Sequence, residues 1–524
     1  MIKGIGGEIL WVDLTHEKIK KEPVDESLVE NYLLGAGFLS RVLFDMISPD
    51  IDPLSSENVL GIATGLLTAS MFPQASRHVV AGLSPLTDVW GESHAAGFWG
   101  SELKFAGYDA IVFTGAASSP VYLNILDSDV ELLGADELWG KDVFEADDIL
   151  REKHSKRCRT LAIGPAGENL VRFAAVMNDR DRASARSGLG AVMGSKRVKA
   201  VCVRGTGKIE VAEPKEYLAH MDIFFERMLA NPFTPGRVKY GTTSLVELMQ
   251  HIGRLPSYNM RQGVFDGYQK ISGEAINQHH LVKPRADFNC LQRCGRYTRV
   301  KTGPYSYIGG SPEFESQSSL GSRCGNDNLE SVLFTHHLSN KYGMDTISLG
   351  ATISWAMEAW DEGLLTADDT GGMDLSWGNH AEIVELVKMI AYREGFGDIL
   401  AEGSARAAEK VGRGTEKFVM AVKKQEIAGQ EPRAQKSMGL AAVTAARGAD
   451  HLYAFPVLDE AGFDKEIRDR FGEQYLPEMT DRLDPTYKGI MVKECEDFMV
   501  VVESLGLCKY GTQIPPEFYY DDLA

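Results

Sequence analysis

A chain of 524 residues, 44% of them hydrophobic, can bury more than one core, and at roughly 100–200 residues per domain two to four domains are expected. Its 74 acidic residues against 55 basic ones give a net charge of −19, which disfavours nucleic acid and anionic lipid as partners. Seven cysteines in a chain this long do not form a small secreted disulfide scaffold, and neither a leader pattern nor an apolar run of about 20 residues stands out, so the expected address is cytoplasmic, without membrane insertion.

Ile9 to Leu14 predicts a short strand, which Thr15–Lys18 turns back toward Ile19. Ala110–Gly115 and Val121–Leu126 are β-rich runs on either side of Ala116–Pro120. Arg159–Ile163 stops at Gly164-Pro165-Ala166-Gly167, and Val198–Val203 closes the region. Before that last run, Gly188, Gly190 and Gly194 follow Arg186; they allow either tight turns at positive φ or close backbone approach to a bulky ligand.

Beyond about residue 212 the pattern becomes helical: Pro214 through Leu229, a helix from Leu329 with Asn326 or Asp327 as its N-cap, Thr346 to Trp360, and Ala381 to Tyr392. Gly412–Glu416 reads as a connector. The expected fold class is α+β, with a sheet-rich domain over 1–210, a mainly helical domain over 211–415 and a short helical domain over 416–524.

Cys290 and Cys294 are the first metal candidates, in Asp287-Phe288-Asn289-Cys290-Leu291-Gln292-Arg293-Cys294-Gly295-Arg296. Soft thiolates select zinc, copper or iron–sulfur clusters, and a cubane needs four ligands. Cys495 and Cys508 could complete the set, and Asp287 could add an oxygen; two core-facing thiols are the plain alternative.

In order and spacing, these segments resemble the tungsten-dependent aldehyde ferredoxin oxidoreductase family, including the related aryl-CoA reductase subunits. The family's Cys-x2-Cys-x3-Cys-Gly-Arg places Asp287 on the first cysteine and Cys290 and Cys294 on the next two. The late motif, here Glu503-Ser504-Leu505-Gly506-Leu507-Cys508, makes Cys508 the fourth ligand of one [4Fe-4S] cluster. The resemblance further implies a tungsten bis-pterin, with molybdenum as the alternative metal, and magnesium bridging the pterin phosphates.

Residue by residue, the resemblance assigns pterin contacts to Arg77, to Ser93, His94 and Ala95, and to Arg182, Ala183, Arg186, Gly188, Gly190 and Lys196 in the Arg182–Lys196 signature. Asn340, Gly343 and Asp345, with Glu503 and Leu507, correspond to two motifs that grip the pterins from the helical domains; Asn340 and Glu503 replace aspartates there. The same comparison places Glu315 and His451 in proton handling, although a lone glutamate is often a surface cap and a lone histidine an ordinary hydrogen-bonded residue. Cys324 occupies a position that can furnish a thiolate to tungsten in the aryl-CoA enzymes, or it is a pocket-lining thiol.

The activity implied is oxidation of an aldehyde plus water to a carboxylic acid, with electrons leaving through the cluster to ferredoxin or an iron–sulfur subunit. Low-potential reduction of an aryl-CoA or a carboxylic acid is the enzymatic alternative, and a noncatalytic electron-transfer or assembly subunit the other. The substrate would be a small aldehyde or acyl compound, and the assembly a homo- or hetero-oligomer. Only sixteen residues follow Cys508, which makes the last domain short for the family.

Overall fold

Six strands, Glu8–Asp13 (β1), Lys18–Pro23 (β2), Leu60–Thr64 (β3), His78–Leu83 (β4), Trp90–Ala95 (β5) and Tyr108–Thr114 (β6), form one sheet in the order β2-β1-β6-β3-β4-β5. A second six-stranded sheet holds Val121–Leu126 (β7), Asp129–Gly134 (β8), Arg159–Ala162 (β9), Val176–Asn178 (β10), Arg182–Ser184 (β11) and Val198–Arg204 (β12), in the order β11-β10-β9-β12-β7-β8. This computed structural model describes residues 3–512 and 518–524. The two sheets share one core, in which Leu10, Ile62 and Ile111 of the first meet Leu123, Leu161 and Val201 of the second.

Every residue of β3 and β4 is buried. Similarly buried β6, β7 and β12 were legible from their β-branched and aromatic runs, whereas Leu-Gly-Ile-Ala-Thr and His-Val-Val-Ala-Gly-Leu are diluted by glycine and alanine, so β3 and β4 escaped the sequence reading. The expected switch from strand to helix is found: β12 ends at Arg204, and the next element is the Pro214–Ala230 helix, with proline in its first turn.

The helical part packs around Leu320, Ile353, Trp355, Ile383 and Leu386. The predicted helices are Leu329–Tyr342, Thr346–Asp361 and His380–Tyr392. The first is capped by Asn328, whose side chain accepts from Ser331 N, and not by Asn326 or Asp327. The elements not anticipated here include the long Lys488–Leu505 helix and a three-stranded antiparallel sheet of Leu281–Arg285 (β13), Gly295–Val300 (β14) and Tyr307–Gly310 (β15). The connection between β13 and β14 carries Asp287, Cys290 and Cys294. Among the described residues, no helix is long and apolar enough to cross a membrane.

Candidate functional site

One cavity collects residues from all parts of the chain, and the β4–β5 hairpin forms part of its wall. The pairing of His78 with Ala95 sets Arg77, just before β4, beside the end of β5, where Ser93, His94 and Ala95 line the cavity. Glu92-Ser93-His94 is therefore strand. Gly97, at φ +114°, turns the chain away from β5; a Cβ there would lie 2.5 Å from Asp179 Oδ2. That carboxylate accepts from Phe98 N at 2.7 Å and Trp99 N at 3.2 Å, so Asp179 fixes the turn.

Cys290, Cys294 and Cys508 line this same cavity, with Asp287 and Arg77. Cys508 is brought there by the end of the Lys488–Leu505 helix, where Gly506 at φ +77° packs backbone to backbone against Gly65; a Cβ at Gly65 would lie 2.1 Å from Gly506 N. Arg77 Nη2 lies 3.7 Å from Cys508 Sγ. Cys495 sits apart in an apolar cluster with Met491 and Ile467. Burial pushes the Cys290 thiol up to about 12 and that of Cys294 well above its usual range, so these groups become thiolates only when a metal displaces their protons. Asp287 Oδ1 accepts from Arg182 Nε at 2.7 Å, and this is its side chain's one partner among the described residues.

Glu315 and His451 face each other in the cavity, with His451 Nε2 3.3 Å from Glu315 Oε1. Glu315 stands in the first turn of the Phe314–Leu320 helix, and its carboxylate accepts from Gly429 N and Gln430 Nε2, each at 2.6 Å. Burial lowers the His451 pKa below the ordinary histidine value, against the pull of Glu315 and Asp450, which favours a neutral ring. Behind it, burial alone would raise the Asp450 carboxyl, but Arg447 at 2.8 Å outweighs that and keeps it ionised.

Two donor sets differ in spacing. Glu92, His94 and Glu503 offer ligand atoms within 4.8 Å of one another, close enough to hold one ion. His94 Nε2 lies 3.5 Å from Glu92 and 3.4 Å from Glu503, while Lys509 also bonds Glu503. The three cavity cysteines form no set this tight among the described residues. A wider array of thiols suits a polynuclear cluster better than a single ion. Around the cavity Arg77 Nε, Arg186 Nη1, His94 Nδ1 and His451 Nδ1 are buried without a partner among the described residues. So many unmatched donor-capable groups fit an anionic ligand rich in heteroatoms.

Two family descriptions cover nearly the whole chain: the aldehyde ferredoxin oxidoreductase N-terminal domain matches residues 9–205, and domains 2 and 3 of the same family match 221–524. The chain belongs to the aldehyde ferredoxin oxidoreductase family. Its relatives include the tungsten-containing aldehyde ferredoxin oxidoreductase of Pyrococcus abyssi, 39% identical over 97% of this chain and 82% of that one. Another is the WOR-like subunit of an aliphatic sulfonate oxidoreductase from Pyrococcus furiosus, 32% identical over 77% of this chain and 67% of that one. Among solved structures, the BamBC active-site complex of benzoyl coenzyme A reductase with 1,5-dienoyl-CoA matches with a TM-score of 0.84 and 26% identity, over 97% of this chain and 82% of that one. The expected fold, a sheet-rich domain followed by helical ones, is that of this oxidoreductase family.

Within the aldehyde ferredoxin oxidoreductase framework the cavity admits most of the residues expected there and turns away six. Arg77, Ser93, His94, Ala95, Arg182, Ala183, Arg186, Asn340, Asp345, Glu503, Glu315 and His451 line it, together with the four expected cluster ligands. Cys324 does not: it is fully buried in the helical core, and its thiol donates to Ser319 O at 3.3 Å and Gly350 O at 3.5 Å. Lys196 points elsewhere too, bonding the carbonyls of Ser56, Asn58 and Gly115. Gly188 and Gly190 make room for protein backbone; Cβ atoms there would lie 2.0 Å from Arg172 O and 2.5 Å from Ala175 O. Gly343 is the left-handed cap of the Leu329–Tyr342 helix, and Leu507 pairs with Ala75. Sequence reasoning also missed lining residues, among them Arg254, His336, Gln430 and Lys509. Only Lys509 carried a signal, as the neighbour of Cys508.

Proposed function

We propose that the chain oxidises an aldehyde, RCHO + H2O giving RCOOH, two protons and two electrons, with a tungsten bis-pterin and one [4Fe-4S] cluster. What carries this reading is the Glu315–His451 pair in a cavity that also gathers Cys290, Cys294 and Cys508. The metal-pterin group, when bound, supplies the two-electron oxidation, and the cluster releases electrons singly.

Cys290, Cys294 and Cys508 would hold the cluster, with Asp287 as an oxygen ligand that shares its carboxylate with Arg182. Arg77, Arg182 and Arg186 would meet pterin heteroatoms and phosphates, and Asn340, Asp345 and Glu503 would accept hydrogen bonds from the pterin rings. Ser93, His94 and Ala95 would hold the magnesium that offsets the pterin phosphate charge, and Ala183 would meet the pterin. Glu315 would take a proton from the attacking water, and neutral His451 would orient the carbonyl and share the proton. The three-domain division at about 210 and 415, a cytoplasmic address and a ferredoxin or iron–sulfur partner complete the proposal.

Likeness to the benzoyl coenzyme A reductase complex supports a second reading, reduction of an aryl-CoA or an acid. The buried, backbone-bonded Cys324 counts against it, since that reading drew on a thiolate at the metal. An anaerobic preparation assayed for tungsten, molybdenum, iron and pterin, then tested on aldehydes and on benzoyl-CoA, separates the alternatives. Stoichiometric tungsten and pterin with CoA-independent aldehyde oxidation is the expected result. Turnover of benzoyl-CoA alone would favour the second reading, and a cluster without pterin would reject both.

A further inference from the structure

The segment 281–301 carries six basic residues and one acidic one within a chain of net charge −19. Two of the six are spent internally: Arg285 pairs with Asp181, and buried Arg296 bonds the backbone carbonyls of Arg237 and Val238. The other four, Lys283, Arg293, Arg299 and Lys301, are exposed, and none pairs with a carboxylate among the described residues.

Strand register puts Lys283 and Arg299 on one face, and Lys301 directly follows the end of β14. Lys283 stands opposite Tyr297 across β13 and β14, with its ammonium 5.9 Å from the ring centroid. Arg299, two residues along β14, points to the same side, because side chains alternate in a strand. It is opposite Ile308, which is 42% exposed, while Thr298 and Val300 on the other face are buried. The single acid of the segment, Asp287, is held by Arg182. The same hairpin ends in the loop that carries Cys290 and Cys294, both partly accessible.

We infer that the outer face of this β13–β14 hairpin is the docking surface for a small acidic protein carrying a one-electron redox group. The inference rests on the proposed cluster at Cys290, Cys294 and Cys508, whose electrons must leave one at a time. A net negative protein repels an acidic carrier at long range. Within a Debye length of roughly 8–10 Å the local charge governs, so approach is productive only where cations cluster. Lys283, Arg299 and Lys301 supply that charge, and Ile308 with the aliphatic stem of Arg299 supplies an apolar contact. From this face β13 and β14 run into the cysteine loop at Arg285 and Gly295, so a carrier seated there rests on the hairpin that holds Cys290 and Cys294.

The test is binding of an oxidised acidic ferredoxin to the full chain, compared with the triple variants K283E/R299E/K301E and K283Q/R299Q/K301Q, at about 20 and about 200 mM salt. The wild type is expected to bind about tenfold more weakly at the higher salt. The Glu variant should bind about tenfold more weakly at low salt, with the Gln variant between them. All three should melt alike, and the loaded enzymes should reduce a neutral dye with aldehyde at equal rates. Equal ferredoxin affinity in wild type and variants would overturn the docking surface, as would displacement of ferredoxin by duplex DNA. If no aldehyde is oxidised by any of them, the proposed reaction fails, and the binding series still decides the surface.

Discussion

Glu315 is held before any substrate arrives: Gly429 N fixes one carboxylate oxygen, and Gln430 Nε2 fixes the other beside His451. A positioned base of this kind contributes about 10²–10⁴-fold to a rate. Glu315→Gln keeps the size but removes the proton acceptor, so turnover should fall by about that factor while tungsten and iron stay bound; unaltered turnover with full metal content would reject the assignment. Burial also moves the His451 contribution to the acidic limb of the pH–rate profile below the ordinary value of 6.5. At Cys324 the expectation is the reverse. Serine can donate to the same two carbonyls, so Cys324→Ser should leave metal content and aldehyde turnover within about twofold, at a stability change on the order of 1 kcal/mol. A shifted tungsten spectrum in that variant would restore the thiolate reading. These residues show where sequence reading stops. In the Arg182–Lys196 signature, Arg182, Ala183 and Arg186 line the cavity, whereas Lys196 satisfies backbone carbonyls and the glycines admit neighbouring chain. Residue type announces a charge or a gap; the direction it faces is set by the fold.

At the level of elements, β-rich apolar runs and amphipathic helices were legible from residue type and periodicity, as in β6, β12 and His380–Tyr392. β3 and β4 are diluted by glycine and alanine, and β13–β15 are short strands inside a helical stretch. The cysteine set was legible as residues but not as a place, because Cys508 depends on a contact 441 positions from its own helix cap: Gly506 against Gly65. That contact is backbone on backbone, so a methyl group at Gly65 cannot be relieved by a side-chain rotation. Gly65→Ala should cost more than the 1–3 kcal/mol of ordinary overpacking, lower the melting temperature by several degrees and release iron through displacement of Cys508. A variant with unchanged melting and full iron would show that this junction yields freely and does not position the thiol.

For the whole molecule, burial makes several histidines costly to charge. His78 and His336 are held down to about 3 and His337 to about 4, in each case chiefly by desolvation and further by neighbouring positive charge. The unfolded chain takes up these protons near 6.5 and the folded one does not. Folding stability is therefore full above about pH 6.5 and falls as the pH drops below it, by about 1.4 kcal/mol per pH unit for each such group. Between pH 6.5 and 5 a single histidine accounts for about 2 kcal/mol. Carboxyls held high by burial, such as Glu313 and Asp459, act with the opposite sign, so the histidine contribution is best isolated by difference. His78 suits this: neither ring nitrogen has a hydrogen-bond partner among the described residues, and the ring lies 4.9 Å from that of Trp99. His78→Phe keeps an aromatic ring there and breaks no hydrogen bond. Its unfolding free energy, measured by denaturant titration at pH 7 and pH 5, should fall by about 2 kcal/mol less than that of the unaltered protein. Identical losses in the two proteins would mean that His78 already charges in the folded state, and that acid sensitivity arises elsewhere.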